Sequence, residues 1–274
     1  MLRIDWEMWA LTVKNLIWPM FCRHCGVRLL TEDNRFFCPT CWERSPRIIP
    51  PLCSKCGKPH EQILGFGPVA SYPCDTCRNA SPRTIRYRRI LGAAHYQDAI
   101  AEAIKLFKFH DRTQLAGPLA ELMLEAADRE LDMDGYHFII PVPLYRVRER
   151  ARGYNQSLLL AEEIAPYFEG AAIDHALKRI RPTKTQSRLK SEAERRENVR
   201  GAFAVDNGDR LKGKKILLID DVVTTGVTVN ECAAVLRRHG VEHVDVLAVA
   251  LAVKQRPLTQ RMLPIDESIV ARMA

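Results

Sequence analysis

Two carboxylates and three threonine hydroxyls fall within nine residues: Asp220, Asp221, Thr224, Thr225 and Thr228, with Gly226 among them. Threonine hydroxyls and free backbone amides donate to a phosphate, and a glycine lets the backbone approach closely. Carboxylates repel a phosphate, so the acids must serve another part of the ligand. Vicinal sugar hydroxyls are natural donors to them, with Mg²⁺ nearby to balance charge. A ribose 5-phosphate contains both parts. One position admits a smaller reading: Thr228 and Glu231 stand at capping-box spacing, so Thr228 could simply start a helix.

A second set of chemical residues lies near the N-terminus. Eight of the nine cysteines form four C-x-x-C pairs, Cys22/Cys25, Cys38/Cys41, Cys53/Cys56 and Cys74/Cys77. Twelve residues separate the first two pairs and seventeen the last two. A C-x-x-C turn aims two thiolates at one point, and two turns complete a tetrahedral Zn²⁺ site. The expectation is two structural zinc sites with no open coordination position. Sequential pairing is the simpler arrangement, and an interleaved cross-brace would use the same residues. A disulfide framework would need an oxidising compartment, to which nothing in the sequence points. Cys232 stands alone and reads as a small buried residue.

These residues need elements to hold them. "KKILLID" is an apolar run that ends at the acid pair, and the segment from the threonine loop to Gly240 is amphipathic. "ILGAAHY", "YHFIIPVPL" and "HVDVLAVAL" read as further strands. "DAIAEAIKLFKF", "QLAGPLAELMLEAADREL" and "NQSLLLAEEIAPYF" carry apolar residues at three- and four-residue spacing, with Asn155 as N-cap of the last. Short apolar strands alternating with helices predict an α/β fold, a parallel sheet flanked by helices. Ligands of such sheets bind at the carboxyl ends of the strands, where Asp220 and Asp221 stand.

The chain has 274 residues, 47% of them hydrophobic, enough for a sizeable core beside a small module. We divide it into a zinc-ribbon-like module over 1–80, a ligand-binding domain over 81–254 and a loose tail over 255–274. Between the first two lies "RNASPRTIRYRR", with Arg78, Arg83, Arg86, Arg88 and Arg89 and no acid among them. It reads as a solvated linker, with a phosphate or nucleic-acid contact as the other reading. The net charge of +8 fits an anionic partner such as phosphate or nucleic acid, and equally a soluble basic protein. The stretch Trp9 to Phe21 is too short to span a bilayer, carries Lys14, and lacks a basic leader and a cleavage site. It reads as a short helix packed on the protein, and the chain as cytoplasmic with no stable membrane insertion. A Walker A loop is absent, and too few residues follow the acid pair for a receiver domain.

"ILLIDDVVTTGVT" resembles the phosphoribosyl-pyrophosphate (PRPP) signature of type I phosphoribosyltransferases. With "PVPLYRVRERARGYNQSLLLA", "RIRPTKTQSRLKSEAERRENVRGAFAV" and the cysteine module, the chain resembles the ComF family of competence-associated proteins. The resemblance implies that Asp220 and Asp221 hold the ribose hydroxyls and that Thr224, Thr225, Gly226 and Thr228 hold the 5-phosphate. It implies a pyrophosphate loop within "PVPLYRVRERARG", where Arg146, Arg148, Arg150 and Arg152 share a face if extended and spread if helical; Arg152 is the leading candidate. It places a mobile hood over Arg181 to Asn198, with Arg181, Thr185, Gln186, Arg196 and Asn198. The competing reading of that segment is an exposed helix with salt bridges from Glu192, Glu194 and Glu197. The implied cofactors are Zn²⁺ and, with PRPP, Mg²⁺. Pentosyl (phosphoribosyl) transfer is the chemistry of the class. Single-stranded DNA and a DNA-translocating ATPase of the uptake machinery are the implied partners. A zinc-module adaptor binding nucleic acid, with a non-catalytic PRPP site, is the alternative.

Overall fold

The computed structural model describes residues 19–29, 36–60, 72–81, 84–184 and 191–253. The helix expected before Phe21 falls, up to residue 18, outside the described residues, as does the tail from Lys254.

Among its described residues the cysteine-rich part has two short helices, α1 (Pro39–Arg44) and α2 (Asp75–Arg78), neither with a buried residue. The rest follows the predicted alternation. In chain order come β1 (Arg89–His95), α3 (Asp98–Phe109), α4 (Ala116–Glu130), β2 (Phe138–Pro141), α5 (Arg146–Arg152), α6 (Gln156–Ile164) and β3 (Ala172–Ile173). They are followed by β4 (Leu177–Arg179), α7 (Glu192–Val199), β5 (Phe203–Val205), β6 (Lys215–Val223), α8 (Val227–Arg238) and β7 (His243–Leu251). Five strands form one parallel sheet in the order β1-β7-β6-β2-β3. Consecutive residues of β6 and β7 are buried, so helices cover both sheet faces. Helices α4 and α6 pack together over β1, β2 and β6, while α8 packs on β6 and β7. An antiparallel pair, β4 with β5, stands apart from the sheet; the sequence patterns had not revealed it.

The cysteine module docks on the open edge of the sheet. Arg47 bridges Ala94 of β1 in antiparallel sense, Ile48 N donates to Ala93 O (2.9 Å) and His95 N donates to Pro46 O (3.0 Å). An otherwise bare strand edge is thereby covered.

The arginine run is not a solvated linker throughout. Arg88 and Arg89 both pair with Asp245, which is fully buried on β7. Arg88 Nε lies 2.8 Å from Asp245 Oδ1, and Tyr136 Oη donates to Oδ2 at 2.6 Å. Burial pushes the Asp245 carboxyl up, but the Arg88 and Tyr136 hydrogen bonds outweigh it and hold it below its ordinary value. Arg86 gives its backbone N–H to Asn230 Oδ1 (2.8 Å), and Arg78 pairs with Asp75. Arg83 lies outside the described residues.

Candidate functional site

The end of β6 carries the acid pair into a cavity of about 730 Å³. Asp221 is buried and its Oδ1 lies 2.8 Å from Lys108 Nζ, in the last turn of α3. Its backbone N–H donates to Asp220 Oδ1 at 2.9 Å. Burial and the adjacent Asp221 charge push the Asp220 carboxyl up to about 7, against the pull of Lys108 and Arg179.

The threonine loop divides between two cavities. Thr224 and Thr228 line the cavity of the acid pair. Thr225 and Gly226 line a neighbouring one, with Thr84, Tyr87 and Arg196. Gly226 is the N-cap of α8 at φ +76, a conformation that favours glycine, and no side chain caps that helix. The capping-box reading of Thr228 is therefore overturned: Glu231 Oε1 instead accepts from Gly201 N at 3.0 Å.

The segment after β2 resolves the choice left open for its arginines. It is helical, so Arg148 and Arg152, one turn apart, line the main cavity while Arg146 lines a separate one. The Arg152 guanidinium lies 5.1 Å from the Phe109 ring centroid, and Phe109 is 68% exposed at the same cavity. Gly153 ends α5 at φ +82, and Asn155 then caps α6 by accepting from Ser157 N at 3.1 Å. The Asn155 amide donates to Val142 O at 3.1 Å, which fixes the end of β2 against the start of α6. Gln156 is 1% exposed, lines the main cavity, and leaves its Nε2 without a hydrogen-bond partner among the described residues.

The expected hood residues sit differently. Arg181 Nη2 donates to the carbonyls of Asn198 (3.1 Å) and Arg200 (2.6 Å). Asn198 clasps Lys184 twice, at 2.9 Å each way. Arg196 pairs with Glu192 on α7, in keeping with an exposed, salt-bridged helix. Arg181 and Asn198 thus tie the stems on either side of 185–190; none of the three lines the main cavity, and Arg196 lines the neighbouring one beside Thr225 and Gly226. Lys184, Arg195 and Arg179 line the main cavity instead. Thr185 and Gln186 lie outside the described residues. Lys108, Phe109, Gln156 and Arg179 were missed by sequence reasoning: the first three belong to helices read only as scaffold, and Arg179 to a strand the patterns did not reveal. For Gln156 the signal was present: a polar side chain directly after the Asn155 cap.

The cysteines form two clusters, Cys22/Cys25/Cys38/Cys41 and Cys53/Cys56/Cys74/Cys77, each with its four Sγ atoms within 4.8 Å of one another. This is the sequential pairing. Cys25 and Cys38 Sγ atoms lie 3.7 Å apart, Cys56 and Cys74 3.8 Å. A Zn–S bond of about 2.3 Å gives a tetrahedron edge of about 3.8 Å, so both clusters fit Zn²⁺. Backbone N–H groups of Cys56 and Cys74 donate to Cys53 Sγ, at 3.4 and 3.2 Å, as thiolate ligands require. Burial opposes ionisation of Cys53, but such donors hold its pKa at about 6.

An acid pair and hydroxyl loop at the carboxyl end of a parallel sheet, behind two four-cysteine zinc-binding sites, define a phosphoribosyltransferase-like protein with a double zinc ribbon. Family models agree on both parts: the phosphoribosyl transferase domain matches residues 155–267 and the double zinc ribbon domain residues 13–79. The chain belongs to the ComF family. It is 30% identical to competence protein F of Haemophilus influenzae, over 84% of this chain and 96% of that one. It is 31% identical to the DNA utilization protein YhgH of Salmonella typhimurium, over 86% of this chain and 96% of that one. Competence protein ComFC of Bacillus subtilis is 26% identical over 77% of this chain and 82% of its own length. No helix among the described residues is long and apolar enough to cross a membrane.

Proposed function

We propose that this chain binds PRPP with Mg²⁺ in the cavity at the end of β6 and acts in the cytoplasmic handling of DNA taken up by the cell. The observation that carries the reading is the Asp220–Asp221 pair, set in one cavity with Thr224, Thr228, Arg148 and Arg152. In this reading the acids hold the ribose 2- and 3-hydroxyls. The loop of Thr224, Thr225, Gly226 and Thr228 holds the 5-phosphate through hydroxyls and amides. Arg148 and Arg152 hold the pyrophosphate, and the buried Gln156 Nε2 donates to the same end. Mg²⁺ supplies countercharge to the pyrophosphate, and an all-oxygen donor set suits it. Lys108 pairs with Asp221 at 2.8 Å and offsets part of the charge of the acid pair. Residues 1–80 act as the metal-held module and 81–254 as the ligand-binding domain. The DNA role is drawn from the names of the relatives. Phosphoribosyl transfer to an acceptor is the chemistry such a site would support.

Calorimetric titration of the zinc-loaded protein with PRPP and Mg²⁺ tests this. Saturable binding is expected, weakened at least about 100-fold in an Asp220→Asn/Asp221→Asn double variant, since two charged acceptors are lost. A wild type that binds nothing, or a variant that binds equally well, would refute the reading.

The raised Asp220 carboxyl gives a second test. An acid with a pKa of about 7 holds its proton below that pH, and hydroxyl donors need it ionised. Affinity for PRPP therefore rises with pH, by up to about tenfold per unit below 7, and flattens above. Titrations at pH 6, 7 and 8 would show this, with proton release on binding near pH 7. Asp220→Asn reduces the slope to that of the ligand's own phosphates, which titrate at about pH 6; a wild type whose slope matches the variant's contradicts the assignment.

The adaptor alternative rests on the zinc module and the arginine run. Asp245 holds Arg88 and Arg89 and offsets one of their two positive charges, which leaves the run net positive. Single-stranded DNA binding that falls steeply with salt and survives loss of Asp221 would favour it.

A further inference from the structure

We propose that the second zinc ribbon is a positioning element for the phosphate loop, acting through Ile90; the inference rests on reading Thr224–Thr228 as a phosphate site. A loop that binds phosphate through backbone amides must be held in place before the ligand arrives. Gly226, at the centre of this loop, has no side-chain cap beside it. Its geometry is set by what packs behind it.

The atoms behind it lead to the ribbon. A Cβ placed on Gly226 would meet Ile90 Cδ1 at 3.3 Å and Tyr87 Oη at 3.6 Å. Both residues are buried. Ile90 N donates to Lys55 O at 2.8 Å, inside the Cys53–Cys56 turn. The next residue, Gly57, has φ +68 and presses on the same backbone: a Cβ there would lie 2.3 Å from Ile90 O. The knuckle, Ile90 and the loop glycine are thus in unbroken contact. One turn into α8, Asn230 accepts from Arg86 N (2.8 Å) and donates to Thr84 O (2.9 Å), tying the chain that leaves the ribbon to the helix that starts at the loop.

The arginines of the main cavity have separate supports. Arg148 and Arg152 stand on α5, and the start of α6 is fixed by Asn155 against Val142. Disturbing the ribbon–Ile90 contact should therefore weaken the phosphate loop alone.

Ribose 5-phosphate and inorganic pyrophosphate serve as separate probes of the loop and the arginines. In Gly57→Ala and Ile90→Ala, with two zinc ions per chain retained, ribose 5-phosphate affinity should fall by about fivefold or more, while pyrophosphate affinity stays within about twofold. Ile90→Val should restore binding, and Met123→Ala, a core truncation on α4, should leave the ratio of the two affinities unchanged. Amide exchange over 224–228 in the ligand-free protein should speed up in the first two variants. Unchanged ribose 5-phosphate affinity in both variants, or an equal loss for both probes, overturns the proposal. A wild type that binds neither probe overturns the phosphate-site reading instead, and the exchange rates then decide the positioning role by themselves.

Discussion

Removing zinc with a strong chelator unfolds the cysteine module and lowers the melting temperature of the whole chain by more than about 10 °C. Structural zinc sites of this type contribute about 10–16 kcal/mol each to folding. Among its described residues the two helices have no buried residues, and the buried apolar side chains are few, Phe37, Ile48 and Leu52 among them. The loss spreads because the module covers the edge of β1 through Arg47 and Ile48. Thiol titration would follow the event, with the eight paired cysteines reacting first and the fully buried Cys232 only when the sheet opens. Cys38→Ser should lose one zinc and keep the other, because the clusters share no ligand. A chelated protein that melts with the holoprotein would show that zinc does not hold the fold.

Asp245→Ala is expected to destabilise the protein by about 3 kcal/mol, a fall in Tm of roughly 6–12 °C. The carboxylate is fully buried and serves Arg88, Arg89 and Tyr136. Its removal leaves the Tyr136 hydroxyl, itself buried, without that acceptor. The two guanidiniums are partly exposed and recover water, which keeps the loss below that of a wholly buried pair. The sign with pH follows from the depressed carboxyl. Its stabilisation is full above the unfolded-state value of about 4 and is lost as pH falls through the lower folded-state value. The gap between wild type and variant should therefore close in acid. Chemical denaturation at neutral and acid pH measures it, and equal stabilities at neutral pH would contradict the network.

Much of the fold was legible because doubly covered strands are continuous apolar runs, and β6 and β7 are of that kind. Helix α3 spans the predicted residues, since its apolar spacing has no break and Asp111 follows with φ +53. Cysteine spacing located both metal clusters but not their pairing, which depends on how the two turns meet in space. The acid pair and its loop stood out because the apolar run before them ends abruptly. What the sequence hid were partners distant along the chain. Lys108 reaches Asp221 from the far end of a helix whose other residues read as packing. The acid that pairs with Arg88 and Arg89 comes from the last described strand, where one Asp in an apolar run carried no sign of its role. Arg181 and Asn198 are polar residues in a long connection, a pattern equally suited to gripping a ligand and to gripping backbone carbonyls; the structure has them on carbonyls.

The placement of β1 has a consequence for how a ribosome delivers this chain. Its sheet neighbour is β7, the final described strand, so for most of synthesis that side of β1 has nothing to pair with. The other side is covered by residues made earlier, Pro46 to Ile48. A nascent chain that has already captured zinc can therefore shield one flank of an apolar strand while it waits for the other, during the interval when exposed edges most readily find the wrong partner. Metal supply during translation, rather than in the finished protein, would then set how much of the chain reaches the native state.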